Sequence, residues 1–488
     1  MANTKVLAVG DGSLLVSLGA ALFESGFEFE LFEWTISLKK VTAWRKKVQP
    51  FDRVVYVSEQ LMADEIQSLH TACRAENKPL LTALCSGQTG LVGPLVHPDS
   101  DICWESVWRR IHRSAIRIEP LNPTRNIIAL QMLSNIIVFD LSRSITEVTE
   151  LELNYKFYLL DLDFLEGSYH SFLPHPLKSD GSNRMTTEHI PNWEHLLRDG
   201  GNSSEELTEF LEFISHVTSP QAGILHLWDE GNLKQLPLSQ CLIQAVNPLS
   251  EGPADLLPAV IGTGLTHLEA RREAGLAGIE DYVTKLVGLY GIGAGVTVEE
   301  AIYRGLEKCL MQQLSLEIAM RNPTIYNVQI HSIEDPHCHY YLQALTTMHE
   351  APTIGWGEDM LGLPVVWVNS GDCWYGRVDL NRTLALRMVL QQALHKAQNP
   401  KGISTIQVIE CPSGNLQEAI LISADIEKVK EKAHMEWLQN ALHTLKQHQT
   451  KISIDEIGVE PYLNEHLGGL FDVRLEFDVR LEGEEPSK

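Results

Sequence analysis

Apolar and polar positions follow two periods along the first hundred residues. Lys5–Gly10 reads as a buried strand, and Gly12 opens an apolar run that continues as a helix. Phe27–Glu33 alternates Phe and Leu with Glu, the period of a half-buried strand. Phe51–Ser58 is a third strand, Asp64–Glu76 a helix and Lys78–Leu84 a fourth strand. Strands alternating with helices predict a parallel, doubly wound sheet. Leu91–Arg113 then sets Gly93-Pro94, Pro98 and Asp99-Ser100 ahead of Trp104, Val107, Trp108 and Ile111. That order predicts a loop leading into an amphipathic helix, N-capped by Asp99 or Ser100.

Regular structure continues over Asn126–Leu133 and Ile136–Asp140. Lys178–Asn202 collects Ser, Gly, Asn and Pro, and Asp199-Gly-Gly-Asn-Ser-Ser is its clearest linker, so a domain boundary is expected there. Glu205–Val217 is a helix. One pattern then occurs twice: Gly262-Thr-Gly-Leu-Thr-His-Leu-Glu-Ala and Gly293-Ala-Gly-Val-Thr-Val-Glu-Glu-Ala. Each predicts a glycine turn, a threonine cap answered by a glutamate three residues on, and an amphipathic helix. A further helix begins near Thr383. Phe471–Glu476 is repeated without change as Phe477–Glu482 and alternates like an edge strand.

With 488 residues the chain has length for two or three domains, and 44% hydrophobic residues suit ordinary globular cores. Its net charge of −25 is spread rather than blocked, which argues against a nucleic-acid footprint. No signal-type apolar segment opens the sequence. The most apolar run, Asn126–Leu141, is interrupted by Gln131, Ser134 and Asn135, so no membrane span is expected. None of the eight cysteines forms a C-x-x-C pair. Reduced thiols in a cytoplasmic protein fit this best, with neither a disulfide scaffold nor a four-Cys zinc site.

Candidate chemistry is sparse. Gly10 and Gly12 suit either a phosphate cradle at a helix N-terminus or a bare strand–turn–helix connection. The third glycine of a dinucleotide fingerprint is replaced by Leu15, and Asp11 adds a charge of the wrong sign. Arg109, Arg110 and Arg113, with Trp104 and Trp108, form the candidate docking surface, while Cys103 reads as a buried helix-start residue. His337-Cys-His339 reads as loop or core rather than a metal site. Gly355-Trp-Gly-Glu-Asp and Gly371-Asp-Cys-Trp-Tyr-Gly read as turns with partial core, or as peptide contacts.

Two family resemblances rest on these segments. Val9-Gly-Asp-Gly, Phe51-Asp with Val57-Ser, Cys73, Lys78-Pro79 and Gly90-Leu-Val-Gly-Pro-Leu-Val-His-Pro resemble the ThiF-like, ubiquitin-activating-type fold. The closest resemblance is to its branch in thiazole/oxazole-modified bacteriocin clusters. The repeated glycine–threonine–glutamate helices resemble YcaO domains, ATP-dependent cyclodehydratases acting on peptide Cys, Ser and Thr. Together they imply an α/β chain: a truncated doubly wound Rossmann-like (ThiF-like) domain over 1–115, a connecting segment and linker over 116–204, and an α+β, degenerate YcaO-like domain over 205–488.

Active members of the first family carry ribose and phosphate ligands after the second and third strands. Here Trp34 and Phe51 are about 16 residues apart, too few for that loop. In the second family, glutamates on these helices hold magnesium and ATP, and the corresponding positions here are Ala277, Lys308, Met311 and Gln392, with Glu280 the survivor. Gly10, Gly12 and Glu280 are thus expected as vestiges of nucleotide binding, with no catalytic residue, metal or cofactor. The resemblance implies a non-catalytic scaffold in bacteriocin maturation. It would engage a ribosomally made precursor peptide and activate a partner YcaO cyclodehydratase forming thiazoline or oxazoline rings. The alternative is an ATP- and magnesium-using enzyme of that pathway, adenylating or cyclising. The family's winged-helix leader-binding module is not seen ahead of the first strand, so leader contact through a separate module is expected. The same resemblance admits a homodimer.

Overall fold

The computed structural model describes residues 4–34, 41–59, 63–100, 102–119, 123–145, 155–178, 185–197, 204–348, 350–371, 373–400, 409–411, 415–429 and 434–477. The chain divides into two compact units. The first comprises 1–184 with the returning segments 219–226 and 246–256; the second holds the remainder.

Among the described residues the first unit builds a seven-stranded sheet of order β2-β1-β3-β4-β5-β6-β7. β1 (Lys5–Gly10), β2 (Glu28–Glu33), β3 (Arg53–Ser58) and β4 (Leu80–Ser86) are parallel neighbours. β5 (Thr89–Val96), β6 (Lys156–Asp161) and β7 (Glu166–Ser171) extend it as an antiparallel meander. Alternation along β1 divides the core. Val6 and Ala8 pack under α1 (Gly12–Glu24) and α5 (Pro123–Ile145). Leu7 and Val9 pack on the other face, with buried residues of α2 (Val41–Val48), α3 (Ala63–Ala75) and α4 (Trp104–Arg110). Period-two strands with helices on both faces make this half doubly wound.

Three expectations change here. Residues 116–184 are no connecting segment, because β6 and β7 complete the first sheet and α5 packs on it. Gly93-Pro94 lies inside β5 rather than in a loop: Gly93 has φ +98° and the β4–β5 register shifts between Leu81 and Ala83. A register shift of this kind is where a strand tolerates proline. Helix α5 runs unbroken through Gln131, Ser134 and Asn135, and Ile127–Ile145 is long and apolar enough to cross a membrane. About half of it is buried in the unit, with Leu130, Leu133, Ile137 and Leu141 packed in the core under the sheet.

Three further sheets follow among the described residues. β8 (Thr186–His189) is the edge of a four-stranded sheet ordered β12-β20-β19-β8. α6 (Ser204–Val217) follows β8, and β9 (Leu225–Asp229), β10 (Ser239–Ala245) and β11 (Val260–Gly264) make a three-stranded sheet. Then comes the repeat: β11 leads into α7 (His267–Val287), and β12 (Ile292–Gly295) leads into α8 (Val298–Met320). The six-stranded sheet contains β13 (Thr324–Ile333), β14 (Thr353–Trp356), β15 (Val365–Ser370), β16 (Cys373–Val378), β17 (Ile409–Cys411) and β18 (Asn415–Ile426). α9 (Pro336–Met348) and α10 (Arg382–Gln398) lie between them in sequence. After α11 (His434–Gln447), β19 (Thr450–Gly458) and α12 (Pro461–His466), β20 (Gly469–Phe477) pairs with both β12 and β19. The first hexapeptide copy is therefore an interior strand, with Phe471, Asp472 and Val473 buried; residues 478–482 of the second copy and the linker residues Asp199–Ser203 lie outside the described residues.

The repeated motif builds the same device twice. Thr266 and Thr297 accept the backbone N–H of Glu269 and Glu300, and those glutamates accept the N–H of Leu265 and Val296 at 2.8 and 2.9 Å. Both are variants of the capping box in which the glutamate reaches the amide one residue before the cap. The first glycine of each turn lets a strand lie directly on its helix: a Cβ on Gly262 would stand 2.3 Å from Ala274 N, and one on Gly293 2.0 Å from Ala301 O. Close packing, rather than a ligand, explains these glycines.

Candidate functional site

The two repeats face one another across a cavity of about 490 Å³ in the second unit. Its wall carries Arg272, Glu273 and Glu280 from α7, Glu300, Arg304, Glu307 and Lys308 from α8, Arg377 from β16, and Arg387 and Gln392 from α10. Residues 300, 304 and 308 recur every four positions, and 273 and 280 lie two turns apart, so each helix turns one charged face inward.

Those faces bear opposite charges at the centre. Arg304 Nε and Nη2 donate to the two carboxylate oxygens of Glu280 at 2.6 and 3.2 Å, and its Nη1 reaches Glu273 Oε2 at 2.6 Å. Lys308 Nζ lies 2.9 Å from Glu280 Oε2 and donates to the Ile292 carbonyl at 2.6 Å. The Ala294 N–H adds a bond of 3.0 Å to Glu280. Arg272 pairs with Glu273 at 3.0 Å and with Glu300. Arg377 pairs with Glu307, and Tyr303 donates to Glu307 and Asp379 at 3.1 and 3.0 Å. Arg387 is held by Asp335 at 2.6 Å.

Glu280 is 1% exposed. Burial alone would push its carboxyl up, but Arg304 and then Lys308 more than offset this and bring it down to about 2. The same carboxylates raise Arg304 well above the ordinary guanidinium range, against the effect of its burial. Asp281, next in sequence, has no comparable set of donors: burial pushes it up to about 6 against the pull of Lys308.

A magnesium ion does not fit this arrangement. It needs carboxylate oxygens with room for waters, and both Glu280 oxygens are already taken by Arg304, Lys308 and the Ala294 amide. Of the other positions, Ala277 and Met311 are buried apolar residues and Gln392 lines the cavity. Glu280 is thus no surface residue but the centre of an internal ion network. Among the described residues, no group of three His, Cys, Asp or Glu is placed to hold a metal. His337 lines the cavity, whereas Cys338 is buried and His339 points to solvent.

The other glycine site holds an internal anion. Gly12 begins α1 with φ +70°, and Glu59 Oε1 accepts the Leu14 N–H at 3.1 Å. A Cβ on Gly12 would stand 2.9 Å from that carboxylate. A pyrophosphate would need the same amides, so it does not fit while Glu59 is there. Gly10 is required by packing, since its Cβ would lie 2.0 Å from Val57 O.

The expected docking face is not a face. Trp104 is 3% exposed and Arg110 1%. Arg110 donates to the carbonyls of Leu173 and Pro174 at 3.0 and 2.6 Å. Arg109 pairs with Glu105 and bonds Ser250 O, each at 3.0 Å, and Trp108 packs against Gly252. Only Arg113 of the three arginines is exposed, and it pairs with Asp255 at 2.6 Å. These residues anchor the returning segments to the first unit; Ala254 N also bonds Ile111 O, and His112 N bonds Gln221 O. The helix is entered at Cys103, which burial pushes above the ordinary thiol range. Neither Asp99 nor Ser100 caps it; Ser100 bonds the Ile102 N–H instead. Trp356, Trp374 and Tyr375 lie in strands and are buried, so they offer no peptide contact.

No family model and no curated protein sequence matches the chain. Solved structures do. A heterocyclase in complex with substrate and cofactor matches with TM-score 0.63 and 11% identity, covering 97% of this chain and 80% of that one. The heterocyclase TruD matches with TM-score 0.59 and 14% identity, over 98% and 80%. The chain has a heterocyclase fold. Its architecture is α/β, with a doubly wound first unit and a second unit of mixed sheets and helices. At such low identity the likeness establishes fold and leaves chemistry to the residues.

Proposed function

We propose that this chain is a non-catalytic component of a system that makes azoline-containing peptides. It engages a ribosomally made precursor peptide and activates a separate, catalytic YcaO cyclodehydratase. The observation that carries the reading is the Glu280 site: a heterocyclase fold in which the chain's own Arg304 and Lys308 occupy the carboxylate oxygens that a metal would need. The Glu59 carboxylate at the start of α1 supports it, because a nucleotide phosphate would have to displace that carboxylate from the Leu14 amide.

ATP hydrolysis by the purified chain is the test, with magnesium and a Cys-rich precursor. Phosphate release at the uncatalysed background is expected from the chain alone. Mixing in a catalytic partner should start loss of one water per ring, seen by mass spectrometry, faster than with the partner alone. Turnover by this chain alone would establish the rival reading, an ATP-dependent cyclising or adenylating enzyme.

A further inference from the structure

The seven-stranded sheet of the first unit ends at β7, and among the described residues nothing pairs with the far side of that strand. The β6–β7 register runs without a shift from Lys156 opposite Ser171 to Asp161 opposite Glu166. Just beyond it, the Phe172 N–H donates to the Tyr155 carbonyl at 3.0 Å. Bonded pairs alternate along an antiparallel ladder, so Glu166, Ser168 and His170 also turn their main chain toward β6. Gly167, Tyr169 and Ser171 therefore turn their N–H and C=O groups outward. The opposite edge of the sheet is guarded, because β2 carries Glu28, Glu30 and Glu33. β7 has one charged residue, Glu166, at its start. The strand also borders a groove of about 410 Å³. Leu159, Asp161, Ser168 and His170 line it along β6 and β7, with Arg117 and Gln221 beside them. Ser168 and His170 bond each other at 3.0 Å, and Arg117 is committed to Asp161 at 2.7 Å. Glu166, exposed in the same row, has no ion-pair partner among the described residues.

We infer that β7 is where an extended segment of the precursor peptide docks, adding an eighth strand to the sheet. The inference rests on the precursor-binding reading above and gives it a place in the first unit. In such a pairing the main chain supplies affinity and alternate side chains supply the choice of sequence. Every second residue of the added strand stands beside Glu166, Ser168 and His170, on the groove side. Glu166 selects a Lys or Arg. Two residues along, beside Ser168, the groove over Leu159 takes an apolar side chain. At the hairpin end the site is extended by Phe164, 64% exposed, with the Arg117 guanidinium 5.6 Å from its ring centre. Charge disfavours a second copy of the chain as occupant, since it brings a further −25 to an edge whose unpaired charge is already negative.

Hydrogen exchange of the full chain at single-residue resolution is the test, with and without the Cys-rich precursor of the dehydration assay. The outward amides of Gly167, Tyr169 and Ser171 should slow by about tenfold or more on binding, while those of Ser168 and His170, already bonded to β6, change less. Ser171→Pro removes one outward donor at an exposed edge position, where a strand tolerates proline. It should weaken binding of fluorescein-labelled precursor by about tenfold, read by fluorescence anisotropy. Glu166→Lys leaves the ladder in place and should weaken binding in the same direction. Leu236→Ser, at an exposed position in the second unit, should leave affinity unchanged. Precursor binding that leaves the β7 amides unprotected, or that both β7 variants retain at full affinity, would overturn the docking site and leave the proposed function standing. Absence of precursor binding by the wild type would overturn both. Protection of β7 that rises with chain concentration in the absence of precursor would assign the edge to a second copy and overturn the inference.

Discussion

Replacing Glu280 by Gln keeps the shape of the side chain and removes the charge at the centre of the ion network. Arg304 would retain Glu273, and Lys308 would retain the Ile292 carbonyl, but both largely buried cations would lose their shared counter-ion. Removing one member of a buried pair costs about 3–5 kcal/mol, because the partner's charge is left uncompensated. Titration leads to a similar figure. The Glu280 carboxyl falls from 4.5 to about 2 on folding, which at ~1.4 kcal/mol per unit corresponds to about 3 kcal/mol. The folded-state value is the lower one, so this stability is present above about pH 4.5 and disappears as the pH falls through about 2. Hydrogen exchange of peptides from α7 and α8, read by mass spectrometry, reports the opening free energy of these helices directly. Glu280→Gln should lower it by about 3 kcal/mol at pH 7, with the gap to wild type narrowing steadily below pH 4. A loss under ~1 kcal/mol at pH 7, or a loss unchanged by acid, would refute the placement of Arg304 and Lys308 on Glu280.

Lys308→Glu sets a second carboxylate beside Glu280; protection of α7 and α8 should fall, and millimolar magnesium should restore part of it while leaving the wild type unchanged. Glu59→Ala removes the carboxylate at the α1 N-terminus and should cost about 1 kcal/mol in exchange protection of α1, the usual worth of a helix cap. Arg110→Met leaves the Leu173 and Pro174 carbonyls without their donor and should destabilise the first unit by about 2–4 kcal/mol in a urea melt. Arg113→Glu, at an exposed pair, should stay within ~0.5 kcal/mol.

The regular elements were legible where period and punctuation agreed. β1 begins and ends where the apolar run does, and the two capping boxes were readable because Thr266 and Thr297 stand three residues before Glu269 and Glu300. The site was half legible. Offsetting the repeat by 31 residues places Glu273 opposite Arg304, so one exchange of acid for base is written in the sequence. That the two helices press those positions together is not, since it depends on β11 and β12 lying against them. Arg110 shows the same limit. Its place in a basic cluster suggests a surface, and only the fold of Leu173 and Pro174, more than 60 residues away, makes it an interior donor. Gly93-Pro94 misled for a local reason: the pair signals a turn unless a neighbouring strand absorbs the irregularity, as β4 does.

The two altered sites share one physical logic. At α1 the unsatisfied amides of a helix N-terminus attract an anion, and the chain supplies Glu59. In the second unit a buried carboxylate requires cations, and the chain supplies Arg304 and Lys308. A fold that once depended on ligand charges would lose stability if its ligands were dropped and nothing replaced them, because buried unpaired charge is among the most expensive features a protein can carry. Supplying each counter-charge from within removes that dependence. It leaves both sites charge-balanced without ligand, as the proposed scaffold role requires.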